Sequence, residues 1–108
     1  MDKSALFADR LPEAEVEIPG VGIVRVRGLT RAEVLKVRKA TDSENMDGDR
    51  ALVLERKLLA KAMVDPELTE AEVGQWQEKA TPGELEPVIE KVQELSGLLP
   101  GSSKSGLH

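Results

Sequence analysis

The chain has 108 residues, with 15 Lys and Arg against 20 Asp and Glu for a net charge of -5, no Cys, one Phe, one Trp and no Tyr. That length supports one domain with a single modest core, built from aliphatic side chains because aromatics are nearly absent. The acidic balance has the wrong sign for a phosphate backbone, and two aromatics give bases little to stack on, so nucleic acid is not an expected partner.

The absence of Cys removes any disulfide frame or thiolate site and suits a reducing cytoplasm. No apolar run approaches the roughly 18 residues of a membrane span, and the opening MDKSALFADRLPEAE lacks a signal peptide's apolar centre. A soluble intracellular protein with no membrane partner is expected.

Residues 1–12 read as an N-terminal arm, in which Met1 to Arg10 has the length for a turn or two of helix with Leu6 and Phe7 as its large apolar groups. The sequence leaves open whether it docks. From Glu13 the pattern alternates strictly, EVEI and then IVRVR, on either side of Pro19-Gly20-Val21-Gly22. This spacing predicts a β-hairpin. Pairing Ile18 with Val24 would set Val16 against Val26 on one face, and Glu17 against Arg25 and Glu15 against Arg27 on the other. A two-stranded hairpin is marginal alone, so its Val16/Ile18/Val24/Val26 face must pack on helices or on another chain.

Thr30 and Glu33 have the capping-box spacing and predict a helix to about Thr41, with Val34, Leu35 and Val37 apolar. Arg31, Lys36, Arg38 and Lys39 make it the one basic element, expected to face the Glu-rich C-terminal helices through salt bridges. Asp42 to Asp49 reads as a polar loop. It lacks the ligand spacing of a calcium loop, so no metal is expected there. Arg50 to Val64 predicts the central core helix, with a stripe of Ala51, Leu54, Leu58 and Ala62 flanked by Leu59 and Met63; Asp65-Pro66 ends it.

Thr69 and Glu72 form another capping box, opening a helix that carries Val73, Trp76 and Ala80 on one face. Thr81-Pro82-Gly83-Glu84 repeats the box and starts a last helix striped with Leu85, Val88, Ile89, Val92 and Leu95. Pro87 implies either a tight first turn through Leu85 or a kink near Glu86. Ser96-Gly97-Leu98 reads as a left-handed glycine stop. Residues 100–108 are too small and polar to offset their ordering entropy and are expected to be disordered. The fold class expected is α+β, mainly α, with residues 13–99 forming one hairpin-plus-helices domain.

No enzyme is expected. The Glu residues fall at caps or on polar helix faces, the only His is His108, and there is no Cys/His or Ser/His nucleophile pair and no zinc set. Gly20 and Gly22 serve the hairpin turn and do not cradle a phosphate, so no cofactor is expected. Apolar groups able to meet a partner are Ile18, Val21 and Ile23 at the hairpin tip and the Val73/Trp76 face. Ile23 is apolar on the otherwise charged hairpin face. Trp76 reads most simply as core, although Trp is enriched at interface hot spots.

Three parts of the chain carry a resemblance: VRGLTRAEV, DPELTEAEV and PGELEPVIEKVQELSG. Over about residues 13–97 the sequence resembles the tail assembly chaperones of long-tailed bacteriophages. The resemblance implies a non-enzymatic protein of the host bacterial cytoplasm that binds the tape measure protein and helps tail tube protein polymerise around it. It further implies absence from the finished virion, a tendency to homo-oligomerise, and in many members a longer form made by ribosomal frameshifting. The alternative is a small acidic adaptor or regulator, antitoxin-like or anti-repressor, whose helices mask another protein.

Overall fold

A computed structural model describes residues 2–8, 11–44 and 49–98. The expected disordered tail, 100–108, and residues 45–48 of the expected Asp42–Asp49 loop lie outside these, while residues 42–44 of that loop continue the helix before it. The described chain is α+β and mainly α: a 3₁₀ turn (Lys3–Phe7), β1 (Glu13–Ile18), β2 (Gly22–Arg27), α1 (Arg31–Glu44), α2 (Arg50–Ala62), β3 (Met63–Asp65), α3 (Glu70–Lys79) and α4 (Pro82–Leu95). No described helix is long and apolar enough to cross a membrane.

The hairpin forms, but two residues away from the expected register. Val16 stands opposite Val24, Ile18 opposite Gly22, Glu15 opposite Arg25 and Glu13 opposite Arg27. The turn is the cause. The Val21 N–H donates to the Ile18 carbonyl at 2.9 Å, closing a four-residue turn with Pro19 second and Gly20 third. Gly20 has φ +79°, the left-handed value that a type II turn requires at that position. A shift of two keeps every side chain on its own face. Val16, Ile18 and Val26 are therefore still buried, and Arg25 meets Glu15 at 3.1 Å and Glu13 at 3.6 Å on the outside.

The sheet has a third strand that the periodicity hid. The helix expected to reach Val64 stops at Ala62, and Met63–Asp65 pairs antiparallel with β2, Arg25 opposite Asp65 and Val26 opposite Met63. Asp65 precedes Pro66 and so is driven out of the α region. Once extended, this short segment satisfies backbone groups on the second edge of β2. The sheet order is β1-β2-β3.

The apolar hairpin face packs on α4, which touches both β1 and β2, while α2 lies centrally against α1, α3 and α4. The buried stripe of α2 differs from the one expected. Leu59 and Ala62 are fully buried and Leu54 and Leu58 only half so, while Ala51 is exposed. Neighbours on three sides shift the apolar demand toward Leu59, and Lys57 is buried beside it because Glu70 supplies its counter-charge at 3.0 Å. On α4 the expected stripe holds, with Leu85, Val88 and Val92 buried and Ile89 and Leu95 packed at the rim.

The caps explain most of the boundaries. Thr30 and Glu33 exchange both capping bonds, 3.0 and 3.1 Å, and Thr69 and Glu72 do the same at 2.9 and 3.1 Å. Thr81 does not, since its side chain makes no cap hydrogen bond. Glu84 serves Trp76 instead. The first turn of α4 is tight, the Glu84 N–H reaching the Thr81 carbonyl at 3.0 Å, and the helix runs on through Pro87. At its end Leu98 N–H donates to Gln93 and Gly97 N–H to Glu94, with Gly97 at φ +74°, the full glycine stop that Ser96-Gly97-Leu98 implied.

One long-range junction fixes the hairpin to the helices. The Leu29 N–H donates to Ser96 Oγ at 2.8 Å, and that hydroxyl donates in turn to the Val92 carbonyl at 2.7 Å. Gly28 lies so close to α4 that a Cβ there would sit 2.6 Å from the Leu95 carbonyl oxygen.

Candidate interaction surface

The type II turn at the hairpin tip turns Val21 outward and keeps Ile18 and Val24 on the inner face. From the other side the chain returns through Met63, Pro66 and Leu68, and α3 brings up Trp76. These seven apolar side chains line one pocket of about 150 Å³. Ile18 and Met63 are buried at its base, Trp76 is half-buried, and Val21 is 64% exposed at its mouth.

Trp76 is held by its polar end. Its indole Nε1 donates to Glu84 Oε2 at 2.8 Å, a charge-assisted bond across the α3–α4 junction. Gln77, next along α3, donates to the Leu52 carbonyl at 3.1 Å and to Glu55 at 2.9 Å, which ties α3 to α2. The Thr69–Glu72 box fixes the first turn of the same helix. The pocket wall is therefore anchored at both ends.

Of the residues expected to meet a partner, the fold brings Ile18, Val21 and Trp76 into this pocket. It places the other two elsewhere. Val73 is fully buried in the core, and Ile23 stands opposite Glu17 on the outer sheet face, 64% exposed and pointing away from the pocket. Met63, Pro66 and Leu68 were absent from the expected surface because they join it only through β3, which the helical pattern of the preceding segment masks. The alternation of the second strand already put Val24 on the right face.

The basic residues of α1 do not form the expected salt-bridged face. α1 packs chiefly on α2, and among the described residues Arg31, Lys36, Arg38 and Lys39 make no ion pair. The nearest strong pair lies at the helix start. Both Nη atoms of Arg27 donate to the Glu33 carboxylate at 2.9 Å, and this guanidinium pulls the Glu33 pKa from 4.5 to about 2.

Chemically the pocket offers shape and apolar contact. No described group of three or more His, Cys, Asp or Glu side chains is arranged to hold a metal ion, and no titratable group lines the pocket. A volume of about 150 Å³ is well below that of small-molecule sites, roughly 300–1,000 Å³, and suits an apolar side chain or two from a protein segment. Compared with protein-family models, curated proteins and solved structures, the chain matches none.

Proposed function

We propose that this chain is a non-enzymatic tail assembly chaperone of a long-tailed bacteriophage, which binds the tape measure protein in the host bacterial cytoplasm and assists tail tube assembly without entering the virion. Two lines support this reading: the resemblance carried by residues 13–97, and the apolar pocket between the hairpin tip and α3. The pocket is the observation that carries it. A long helical client held in solution presents apolar anchors one or two turns apart, and a surface receiving one of them must be apolar, concave and rimmed by solubilising charge.

In support, Val21 at the mouth, Met63 at the base and Trp76 as one wall make the pocket apolar and concave, and the net charge of -5 on the chain favours solubility. Coexpression with the tape measure protein encoded in the same genome tests the reading. The client should stay soluble and copurify with this chain at a defined mass. A client that precipitates equally with and without it would overturn the reading and turn attention to the partner of an acidic adaptor.

A further inference from the structure

We propose that the groove between α1 and α2 is a second docking surface, built to receive an acidic peptide segment of a partner protein. Lys36 on α1 and Lys57 and Lys61 on α2 converge on an opening of about 220 Å³, with Val37 and Ala40 on its α1 side and Glu70 at the edge. Glu70 is committed. Its carboxylate holds Lys57 Nζ at 3.0 Å, and that side chain is only 9% exposed. Lys36 and Lys61 are exposed and, like Arg31, Arg38 and Lys39, make no ion pair among the described residues, although Lys61 is near enough to Glu33 to help hold its carboxylate charged; what sets the two lysines apart is that both line one opening.

In a chain of net charge -5 this is a local reversal of sign. Glu70 offsets Lys57, so Lys36 and Lys61 leave the opening with net positive charge, and a carboxylate-bearing segment laid there would pair with them. Charge complementarity thus names the occupant as acidic. Nucleic acid suits the groove poorly, because neither Phe7 nor Trp76 lines it and no Arg fork does either. Val37 and Ala40 add an apolar side on which an acidic peptide's aliphatic carbons can rest. The groove is lined from α1, α2 and the first residue of α3, and it shares no residue with the pocket at the hairpin tip. The inference therefore stands whether or not the chaperone reading does.

The test is an amide-resolved NMR titration of the full chain with capped decaglutamate, with decaglutamine and a ten-nucleotide oligothymidine as controls. Saturable shifts centred on Lys36, Val37, Ala40 and Lys61, weakened by salt, are expected for decaglutamate alone. The double substitution K36E/K61E should reduce the affinity at least tenfold, while R31E/K79E and V21D leave it within about twofold. Because Lys36 and Lys61 are exposed, the variant should remain folded, which its unchanged amide spectrum away from the groove would establish. Shifts spread evenly over all cations, equal loss in R31E/K79E, or preference for oligothymidine would overturn the proposal. Groove shifts that appear on concentrating the protein alone would also overturn it, by assigning the surface to a second copy.

Discussion

Trp76 and Glu84 join α3 to α4 through one hydrogen bond, 2.8 Å from the indole Nε1 to the carboxylate, and this bond takes the acid away from the cap it was spaced to serve. The choice follows from burial. A half-buried indole N–H without an acceptor is costly, whereas the Thr81 N–H that Glu84 would otherwise accept from belongs to an exposed residue open to solvent. Glu84 in the first turn also gains from the helix dipole, and both Ala and Gln would lose that. Only Ala removes the acceptor. E84A should lower stability by about 1 kcal/mol and E84Q by less than half as much, measured by urea unfolding followed through the fluorescence of Trp76. Equal losses would mean that the charge and not the hydrogen bond matters.

The two threonine caps should therefore behave differently despite their matching spacing. Thr69 exchanges both capping bonds with Glu72, so T69A should cost about 1 kcal/mol. Thr81 makes no side-chain cap bond, and T81A should cost less than about 0.5 kcal/mol. Equilibrium unfolding of the pair checks this, and comparable losses would place a hydroxyl bond at Thr81 that the geometry lacks.

Gly28 is required by space. A Cβ there would lie 2.6 Å from the Leu95 carbonyl oxygen and 2.9 Å from its carbon, so backbone must move on one side or the other. G28A should destabilise by about 1–3 kcal/mol, as overpacking does, and should loosen the Leu29–Ser96 junction. G83A is the contrast. Gly83 is inside α4, and the nearest atom to an added Cβ is Thr81 Oγ1 at 3.9 Å, so the gain in helix propensity should stabilise by up to about 1 kcal/mol. Thermal melts of both variants should move in opposite directions.

What the sequence made legible is what short-range rules govern. The Thr30 and Thr69 boxes, the glycine stop at Gly97, the stripe of α4 and the alternation of the hairpin each depend on residues within a few positions of one another. What it hid depends on neighbours distant in the chain. Met63 and Val64 continue a helical pattern, and only the free edge of β2 draws them into a strand. The hairpin register turned on whether Val21 closes a tight turn with Ile18, which alternation alone does not determine. Lys57 reads as a surface residue until Glu70, thirteen positions on, stands over it. The candidate pocket was half-legible for the same reason: Ile18, Val21 and Trp76 show their character locally, while Met63, Pro66 and Leu68 arrive with the third strand.

Stability should fall in acid through Glu33. Its pKa is held at about 2 in the folded chain, first by the Arg27 hydrogen bonds, against 4.5 otherwise. Between those values the unfolded chain takes up a proton that the folded chain does not, so the stabilisation is complete above about pH 5 and is lost as pH drops toward 2. At this quarter-exposed site, screened by solvent, it amounts to on the order of 1 kcal/mol. E33Q should be less stable than the parent at pH 7, and the gap should close by pH 2. A gap that stays constant in pH-dependent unfolding would show that packing, and not charge, is what the substitution removes.

The hairpin tip offers the sharpest separation of surfaces. Val21 and Ile23 are both 64% exposed and only two residues apart, yet Val21 lines the apolar pocket and Ile23 stands on the outer face beside Glu17. Neither side chain contributes to the core, so V21D and I23D should both fold, with melting temperatures within a few degrees of the parent. A charge at position 21 places a carboxylate at the mouth of an otherwise apolar pocket, where an entering side chain would have to desolvate it. On the proposed chaperone function, V21D should therefore abolish copurification of the tape measure protein while I23D preserves most of it. The reverse result would move the contact to the outer sheet face, and loss in both would mean that the client grips the whole tip.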